Sequence, residues 1–292
     1  DQKHVIYVWF DALINYLTAA GFPDDMERFE RLWPADVHLI GKDILRFHAV
    51  YWPTFLFAAG LPLPRRVFAH GWWTVEGEKM SKSVGNVVDS EVVVEEFGVD
   101  AFRYFLLREV PFGSDGDFSK TALKGRVNSE LANDLGNLLS RTVAMVKKYR
   151  QAVIPSADTE NAHYREFAVL HDEVRQEVAA AMADLAFHKM LAAVWRLVEK
   201  CNRFIDEQAP WALAKDESKA YELDQVLYCV LETLRLLSVY LSPVMPEKAA
   251  QMALQLGQAD PVLGSGPEVF TWGRLATGGE VVKGKSLFPR IE

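Results

Sequence analysis

The sequence has 292 residues, half of them hydrophobic and a quarter charged, with a net charge of −8. This composition suits a folded protein of two domains and argues against disorder. The acidic balance argues against a protein that coats nucleic acid unspecifically, although a local basic patch can still bind RNA. Cys201 and Cys229 lie far apart without a CxxC pair. They indicate neither a disulfide framework nor a zinc site, and they fit a reducing, cytoplasmic setting.

One stretch, 47–64, carries no charged residue and raises the question of a membrane helix. Pro53 and Gly60 interrupt it, so it is read as a buried helix followed by a turn, and no membrane partner is expected. The chain opens at Asp1 directly before an apolar run, without an initiator methionine. That opening suggests a piece cut from a longer protein.

The first third of the sequence has the rhythm of an α/β fold. The β-branched and aromatic runs 5–10, 37–41 and 67–71 predict strands, and apolar stretches between the runs predict helices. Asp43 can cap the helix that follows the second strand. This order predicts part of a doubly wound, Rossmann-like parallel sheet.

Beyond about Ser119 the apolar residues recur at helical spacing. The stripes predict long amphipathic helices with short connections over 131–146, 167–185, 187–204 and 221–241. Such helices form an α-bundle. The fold class is therefore predicted as α/β followed by all-α, and the Gly- and Pro-rich segment 257–284 is expected to run over the surface.

The loop 77–83 holds two lysines three residues apart among small residues. Small residues let a backbone approach a polyphosphate, and two ammonium groups can stabilise charge on its oxygens. An arbitrary K-x-x-K string is usually a solvated turn, and the GxxxxGK[ST] pattern of an ordinary NTPase is absent.

The string Lys79-Met80-Ser81-Lys82-Ser83 reproduces the KMSKS motif of class I aminoacyl-tRNA synthetases without a mismatch. The surrounding run from His70 to Asp89 resembles the methionyl enzymes in particular. The resemblance implies that ATP, with Mg²⁺, is a substrate. It also implies that Lys82, supported by Lys79, stabilises the pyrophosphate leaving group, so that these two are the catalytic and ATP-binding lysines.

The amino-acid side of the site rests on the same resemblance. Aromatic residues at a strand-to-helix junction are ordinarily core, and a lone histidine on an apolar helix is ordinarily a core histidine. The order and spacing of 8–16, 41–44 and 47–53, however, are similar to the methionyl family's substrate pocket. That similarity implies methionine-binding positions at Trp9, Ala12, Leu13, Tyr16 and His48. Leu13 departs from the proline found there in part of the family. Gly41 and Asp43 match positions that contact the ATP ribose, and Asp43 is also a candidate helix cap.

The RNA side lies in the helical half. Asn137 and Arg141 share one helix face, and Trp211 follows Pro210 at a helix break. Most such pairs are solvated surface, and a tryptophan there is as often packed under a bundle. The resemblance implies that Asn137, Arg141, Pro210 and Trp211 bind the CAU anticodon of tRNA(Met), with Trp211 stacked on its first base. The region 98–108 resembles the stem-contact region, where Arg103 and Arg108 touch phosphate or pair with neighbouring acids.

The resemblance divides the chain into three parts. It implies the C-terminal half of a catalytic domain at 1–89, a stem-contact region at 90–118 and an anticodon-binding domain with a tail at 119–292. The His-x-Gly-His element that class I enzymes use to grip ATP is absent from the sequence. We expect that element upstream of Asp1, and we expect the isolated chain to fail at ATP activation.

Three functions remain open from the sequence. The first is a methionine-tRNA ligase, which forms methionyl-adenylate and transfers methionine to tRNA(Met). The second is a class I synthetase for leucine, isoleucine or valine, which should have a branched aliphatic pocket without Tyr16 and His48. The third is a non-catalytic tRNA-binding module, against which the intact lysine loop argues.

Overall fold

A computed structural model describes residues 3–5, 7–75, 77–80, 87–258 and 266–292 of the protein. The chain divides into two compact units. The first comprises 1–79 with 113–117, and the second comprises 80–112 with 118–292. The predicted fold class, α/β followed by all-α, is confirmed. The functional boundaries at residues 89 and 118 stay predictions.

The first unit contains a parallel strand pair flanked by helices. Strands β1 (His38–Gly41) and β2 (Val67–His70) pair in parallel, with His38 opposite Val67 and Gly41 opposite His70. The helices are α1 (Val8–Ala20), α2 (Met26–Leu32) and α3 (Trp52–Ala59). Their apolar faces enclose a core of seven buried residues: Leu13, Leu17, Ala20, Phe29, Trp33, Trp52 and Leu56. The predicted strands at 37–41 and 67–71 are therefore confirmed.

The strand predicted over 5–10 is wrong. Helix α1 already begins at Val8, and the Phe10 N–H donates to the Tyr7 carbonyl at 3.0 Å. A short apolar run is compatible with a buried strand or a helix, and only a strand needs a neighbour for its hydrogen bonds. Within the described residues, β1 pairs with β2 and no strand pairs with this segment. From Val8 onward the backbone of this segment forms helix α1 instead.

The helix predicted after β1 is present, but Asp43 does not cap it. A 3₁₀ turn (Lys42–Ile44) begins directly after Gly41, and Asp43 lies inside this turn. A π-helical turn (Phe47–Tyr51) then leads into α3, which ends at Gly60 with a φ of +68°. Because π-turns are rare and concentrate at functional sites, this segment is a candidate for holding a side chain in a particular direction.

A second, small sheet carries the chain toward the lysine loop. Strand β3 (Trp73–Val75) pairs antiparallel with β4 (Glu78–Lys79) and on its other side with β5 (Gly116–Phe118). The backbone of Gly71 passes so close to Ser114 that an added Cβ would lie 2.3 Å from the Ser114 carbonyl oxygen. Only glycine permits this approach of the two segments.

The second unit is helical. Its elements are α4 (Ser90–Phe97), α5 (Val99–Arg108), α6 (Lys120–Arg126), a π-helical segment (Val127–Gly136), α7 (Asn137–Arg150), α8 (Ala162–Ala183), α9 (Phe187–Gln208), α10 (Pro210–Leu213), α11 (Ala220–Leu241) and α12 (Pro246–Gln255). Helices α8 and α9 pack along each other, and α11 packs against α7, α8, α9, α10 and α12. The four predicted helical stripes are confirmed.

Helix α11 is the centre of this unit, because it is buried from Gln225 to Leu241. Glu232 inside it is fully buried and pairs with Arg235 at 2.7 Å. The Glu232 carboxylate also accepts hydrogen bonds from the backbone N–H groups of residues 273–275, and Arg235 donates to the Val269 and Thr271 carbonyls.

These bonds attach the C-terminal segment to the bundle. Trp272 stacks on Phe167 at 5.9 Å, and Leu275 and Val281 are buried. The expectation that 257–284 runs over the surface is therefore wrong for these described positions. Gly and Pro content indicates irregular backbone, but irregular backbone can be buried when side chains satisfy its polar groups, as Glu232 does here.

We expect Glu232→Ala to lower the free energy of unfolding by about 3–5 kcal/mol, because Arg235 and the three N–H groups lose their buried partner. Urea unfolding followed by circular dichroism measures the change. Glu222→Ala, an exposed position on the same helix, should change stability by less than about 0.5 kcal/mol. Equal effects of the two substitutions would refute the assignment.

Candidate active site and anticodon interface

The pocket on the first unit is built around a tyrosine–histidine hydrogen bond. The Tyr16 hydroxyl lies 2.8 Å from His48 Nε2, and His48 Nδ1 lies 3.0 Å from the Ile44 carbonyl oxygen. A carbonyl only accepts, so Nδ1 carries a hydrogen, and in the ring that carries this single hydrogen Nε2 accepts from the Tyr16 hydroxyl. Both ring nitrogens of His48 therefore have a hydrogen-bond partner. His48 is 1% exposed, so the bond lies away from water.

Trp9 forms an aromatic wall of the same pocket. Its ring stacks on Phe47 with centroids 4.1 Å apart and meets the His48 ring edge-on at 6.2 Å. Trp9 and Tyr16 are seven residues apart on α1, which places both on one helical face. The π-turn brings Phe47 and His48 to that face. These residues therefore form a cluster of polarisable rings.

The other predicted methionine-binding residues lie differently. Leu13 is 1% exposed and belongs to the core beneath the pocket, whereas Ala12 is exposed on α1. The structure thus joins Trp9, Tyr16 and His48 by direct ring contacts and gives Leu13 a supporting position. The five assignments stay predictions.

His38 was not assigned to this pocket from the sequence. Its ring lies 4.3 Å from the Tyr16 ring, and Trp52 Nε1 donates to His38 Nε2 at 3.2 Å. Burial, reinforced by the nearby His48, lowers the pKa of His38 to about 4. Tyr16 thus stands between two imidazoles. The alternation of buried and exposed residues along β1, which buries His38 together with Ile40, is the sequence signal that could have identified His38.

The nucleotide-side candidates lie at the carboxyl end of the parallel strands. Gly41 ends β1 opposite His70, which ends β2, and Asp43 follows in the exposed 3₁₀ turn. Ligands of open α/β sheets bind at this end of the strands. The location of Gly41 and Asp43 is thus compatible with contact to a ribose.

Lys42, between them, was missed. Its Nζ lies 2.6 Å from the Asp115 carboxylate and 4.0 Å from the centre of the Trp72 ring. Asp115 also accepts from the Trp72 backbone N–H at 2.8 Å. The hydrogen bond from Lys42, followed by that from Trp72, lowers the pKa of the Asp115 carboxyl. Lys42 and Asp115 are 73 residues apart in the sequence, so no local motif links them.

The lysine loop is only partly described. Lys79 lies on β4 with its backbone opposite Thr74. Its side chain, and Lys82 with the rest of 81–86, lie outside the described residues. What the structure describes is the hairpin that leads into the loop.

The anticodon candidates lie on α7 and α10. Asn137 is exposed at the start of α7, and Arg141 follows one turn later. Pro210 is buried at the first position of α10, and Trp211 beside it is 46% exposed. The half-exposed indole can stack on a base and is not fully packed under the bundle.

Arg141 is held by α9. Its guanidinium donates to Asp206 at 3.1 Å and to the carbonyl and the side chain of Asn202 at 3.1 and 3.2 Å. Neither Asn202 nor Asp206 was identified from the sequence, because the contacts span 61 and 65 residues. They fix the direction of a side chain that a helix alone leaves variable.

The two stem-region arginines are engaged within the protein. Arg103 donates to the Pro243 and Val244 carbonyls, both at 2.9 Å. Arg108 pairs with Glu130 at 3.3 Å. Of the two readings left open by the sequence, pairing with an acid therefore describes Arg108, and backbone carbonyls hold Arg103.

Comparisons with known proteins agree with this geometry. Residues 1–143 match the family described as tRNA synthetases class I (M), and residues 154–292 match the anticodon binding domain of methionyl tRNA ligase. The chain belongs to the methionyl class I aminoacyl-tRNA synthetases.

Individual relatives of the chain belong to the same family. Over the whole chain it is 50% identical to a methionine–tRNA ligase of Caldanaerobacter subterraneus and 48% identical to that of Bacillus subtilis, covering 46% and 44% of those proteins. A Mycobacterium tuberculosis methionyl-tRNA synthetase in complex with methionyl-adenylate superposes with a TM-score of 0.89 at 44% identity, covering 98% of this chain and 56% of that one. The chain spans about half the length of the relatives it matches.

Within the described ranges, no group of three or more His, Cys, Asp or Glu residues could hold a metal ion. No helix in the described part is long and apolar enough to cross a membrane.

The buried, neutral His38 gives the chain a pH-dependent stability. An unfolded histidine titrates near pH 6.5, whereas folded His38 takes up its proton near pH 4, so the unfolded state binds more protons between these values. The free energy of unfolding should therefore fall as the pH decreases from about 6.5 toward about 4 and stay flat above about 7.

Urea unfolding at several pH values across this range measures how steeply the free energy of unfolding depends on pH. His38→Gln should reduce this slope, and the remainder should include His171, whose pKa burial also lowers to about 4. A slope that is identical in the wild type and in His38→Gln would show that His38 does not control it.

Proposed function

We propose that this chain supplies the methionine pocket, the lysine loop and the anticodon-binding bundle of a methionine-tRNA ligase. In the proposed reaction the methionine carboxylate attacks the α-phosphate of ATP, pyrophosphate leaves, and the methionyl group passes from the adenylate to tRNA(Met). The observation that carries this proposal is the hydrogen bond between Tyr16 and the buried His48, inside a cluster of aromatic rings.

That pocket suits a thioether. Sulfur is soft and polarisable and packs favourably against aromatic rings such as Trp9 and Phe47. The Tyr16 hydroxyl donates to His48, so its hydrogen is already engaged, while its oxygen and ring edge remain to contact sulfur. In a pocket for leucine, isoleucine or valine, the aliphatic side chain of the substrate would offer no further partner to the Tyr16 hydroxyl and the His48 ring. Such a pocket would not be expected to contain these polar groups. These contacts favour methionine.

The nucleotide side supplies position and charge. In the proposal Gly41 and Asp43, beyond the end of β1, contact the ATP ribose. Lys79 and Lys82 stabilise the negative charge that develops on the pyrophosphate, and Mg²⁺ accompanies ATP as part of the substrate. No covalent enzyme intermediate is needed, since orientation and charge stabilisation lower the barrier.

The RNA side combines a stacking platform with a fixed hydrogen-bond donor. Trp211, half exposed on α10, stacks on the first anticodon base, and buried Pro210 anchors this short helix. Arg141, held by Asn202 and Asp206, and the exposed Asn137 read base edges. The proposed partner is therefore tRNA(Met) with a CAU anticodon.

The sequence contains no His-x-Gly-His element of the kind that class I synthetases use to grip ATP, so we propose that activation requires a polypeptide containing more than residues 1–292. For the same reason the activity assays below use a full-length synthetase that contains this chain. We place its action in the cytoplasm, which two unpaired, buried cysteines suit: burial raises the pKa of Cys201 and of Cys229 to about 12.

Tyr16→Phe tests the methionine pocket. The substitution keeps the ring but leaves His48 Nε2 without its donor, so we expect the KM for methionine in ATP–pyrophosphate exchange to rise about 10-fold, the effect of one lost hydrogen bond. The KM for ATP should not change.

Tyr51→Phe, which removes a hydroxyl from the π-turn outside the Tyr16–His48 pair, is the matched control and should behave as the wild type. If both substitutions left the KM for methionine unchanged, the pocket assignment would be wrong.

Trp211→Ala tests the anticodon interface. Loss of one base-stacking platform should weaken binding of a CAU-anticodon tRNA by about 1–3 kcal/mol, or roughly 5- to 150-fold. Filter binding at fixed salt measures this. Trp211→Phe should retain most of the affinity because it keeps an aromatic face, and methionine activation should be normal in both variants. Unchanged tRNA affinity in Trp211→Ala would contradict the assignment.

A further inference from the structure

The hairpin that leads into the lysine loop is held by one carboxylate oxygen. Asp117 Oδ1 accepts a hydrogen bond from the Gly77 backbone N–H at 2.9 Å and another from the Thr74 hydroxyl at 2.7 Å. Thr74 lies in the middle of β3, and Gly77 lies in the turn between β3 and β4 with a φ of +79°. One oxygen therefore connects a strand and its turn.

The carboxylate comes from the neighbouring strand. Asp117 is the exposed middle residue of β5, between buried Gly116 and Phe118, and β5 lies beside β3 in the sheet. The hydrogen bond from Gly77, followed by that from Thr74, lowers the pKa of the Asp117 carboxyl, so it is ionised at neutral pH. Bonds from neutral donors to an ionised acceptor are stronger than neutral pairs.

The position of Lys79 depends on this turn. The backbone of Lys79 lies opposite Thr74, and Glu78 lies opposite Val75, so β4 is registered on the strand that Asp117 holds. Since β4 is only two residues long, its own ladder offers few bonds to fix it. The Asp117 bonds add two contacts at the base of the segment from which the loop departs.

We propose that Asp117 is a positioning residue for the lysine loop, which it serves by fixing the β3–β4 hairpin at its turn and thereby the direction in which the chain enters the loop. The proposal rests on the function proposed above for Lys79 and Lys82. Charges stabilise a transition state most when they are oriented in advance, so a loosened hairpin lowers the rate of adenylate formation. Asp117 itself touches neither substrate.

Asp115 precedes β5 and Asp117 lies within it, but the two carboxylates bond different parts of the hairpin. Asp115 bonds Lys42 and the Trp72 N–H, ahead of β3, whereas Asp117 bonds the far end of the hairpin. Among the described residues of the hairpin, Asp115 has no bond to the turn. The two carboxylates thus hold opposite ends of one strand, and their loss should have separable effects.

The test measures ATP–pyrophosphate exchange in the full-length synthetase that contains this chain. We expect Asp117→Ala to lower kcat about 10-fold and to raise the KM for ATP, with the KM for methionine within about twofold of the wild type. Asp117→Asn retains an oxygen that can accept from Gly77 and should recover part of the loss. Amide hydrogen exchange over residues 74–79 should accelerate in Asp117→Ala and less in Asp117→Asn.

Glu30→Gln, an exposed acid on α2 of the same unit, is the control and should leave every parameter unchanged. Lys82→Ala separates the two proposals. If Lys82→Ala lowers kcat and Asp117→Ala does not, the positioning role fails and the lysine function stands. If Lys82→Ala leaves kcat normal, the lysine function fails. A parallel loss of methionine binding in both Asp117 variants would show general unfolding and overturn the positioning role.

Discussion

The hydrogen bond from Tyr16 to His48 joins every element of the first unit that the candidate pocket needs. Tyr16 comes from α1, His48 from the π-turn and the bonded Ile44 carbonyl from the preceding turn. The Tyr16 ring then contacts His38 of β1, which accepts from Trp52 of α3. Both imidazoles are buried, and burial lowers the pKa of His38 to about 4, so the His38 ring adds no buried charge at neutral pH. This network supports the thioether pocket proposed above.

The helical unit, in contrast, contains a buried pair of charged residues. Helix α11 is surrounded on all sides, yet it contains Glu232 and Arg235, and two charges in an apolar core are tolerated only when each is fully bonded. The C-terminal segment supplies the missing partners through the N–H groups of 273–275 and the carbonyls of Val269 and Thr271. An irregular segment thereby becomes part of the core. The bundle that carries Arg141 and Trp211 is closed by a segment far from either residue in the sequence.

Periodicity was enough to predict the helices and the strands at 38–41 and 67–70, because their side-chain pattern is local. It failed at 5–10, where the choice between helix and strand depends on a partner strand and not on the run itself. Motifs identified Tyr16, His48, Arg141 and Trp211 as candidates. They could not identify residues that act through long-range contacts, namely His38, Lys42, Asp115, Asp117, Asn202 and Asp206. The Gly77–Asp117 and Lys42–Asp115 bonds span 40 and 73 residues, and only folding brings such pairs together.

An acidic chain that binds RNA needs recognition that does not depend on total charge. On the proposed anticodon surface, Trp211 offers a π-face, which attracts a base whatever the net charge of the protein. Arg141 pairs with Asp206 at 3.1 Å, and the carboxylate offsets part of the positive charge that would attract a phosphate. This pairing disfavours unspecific phosphate binding and leaves orientation as the main property of the guanidinium. Specific reading of bases by stacking and by directed hydrogen bonds is therefore compatible with a net charge of −8.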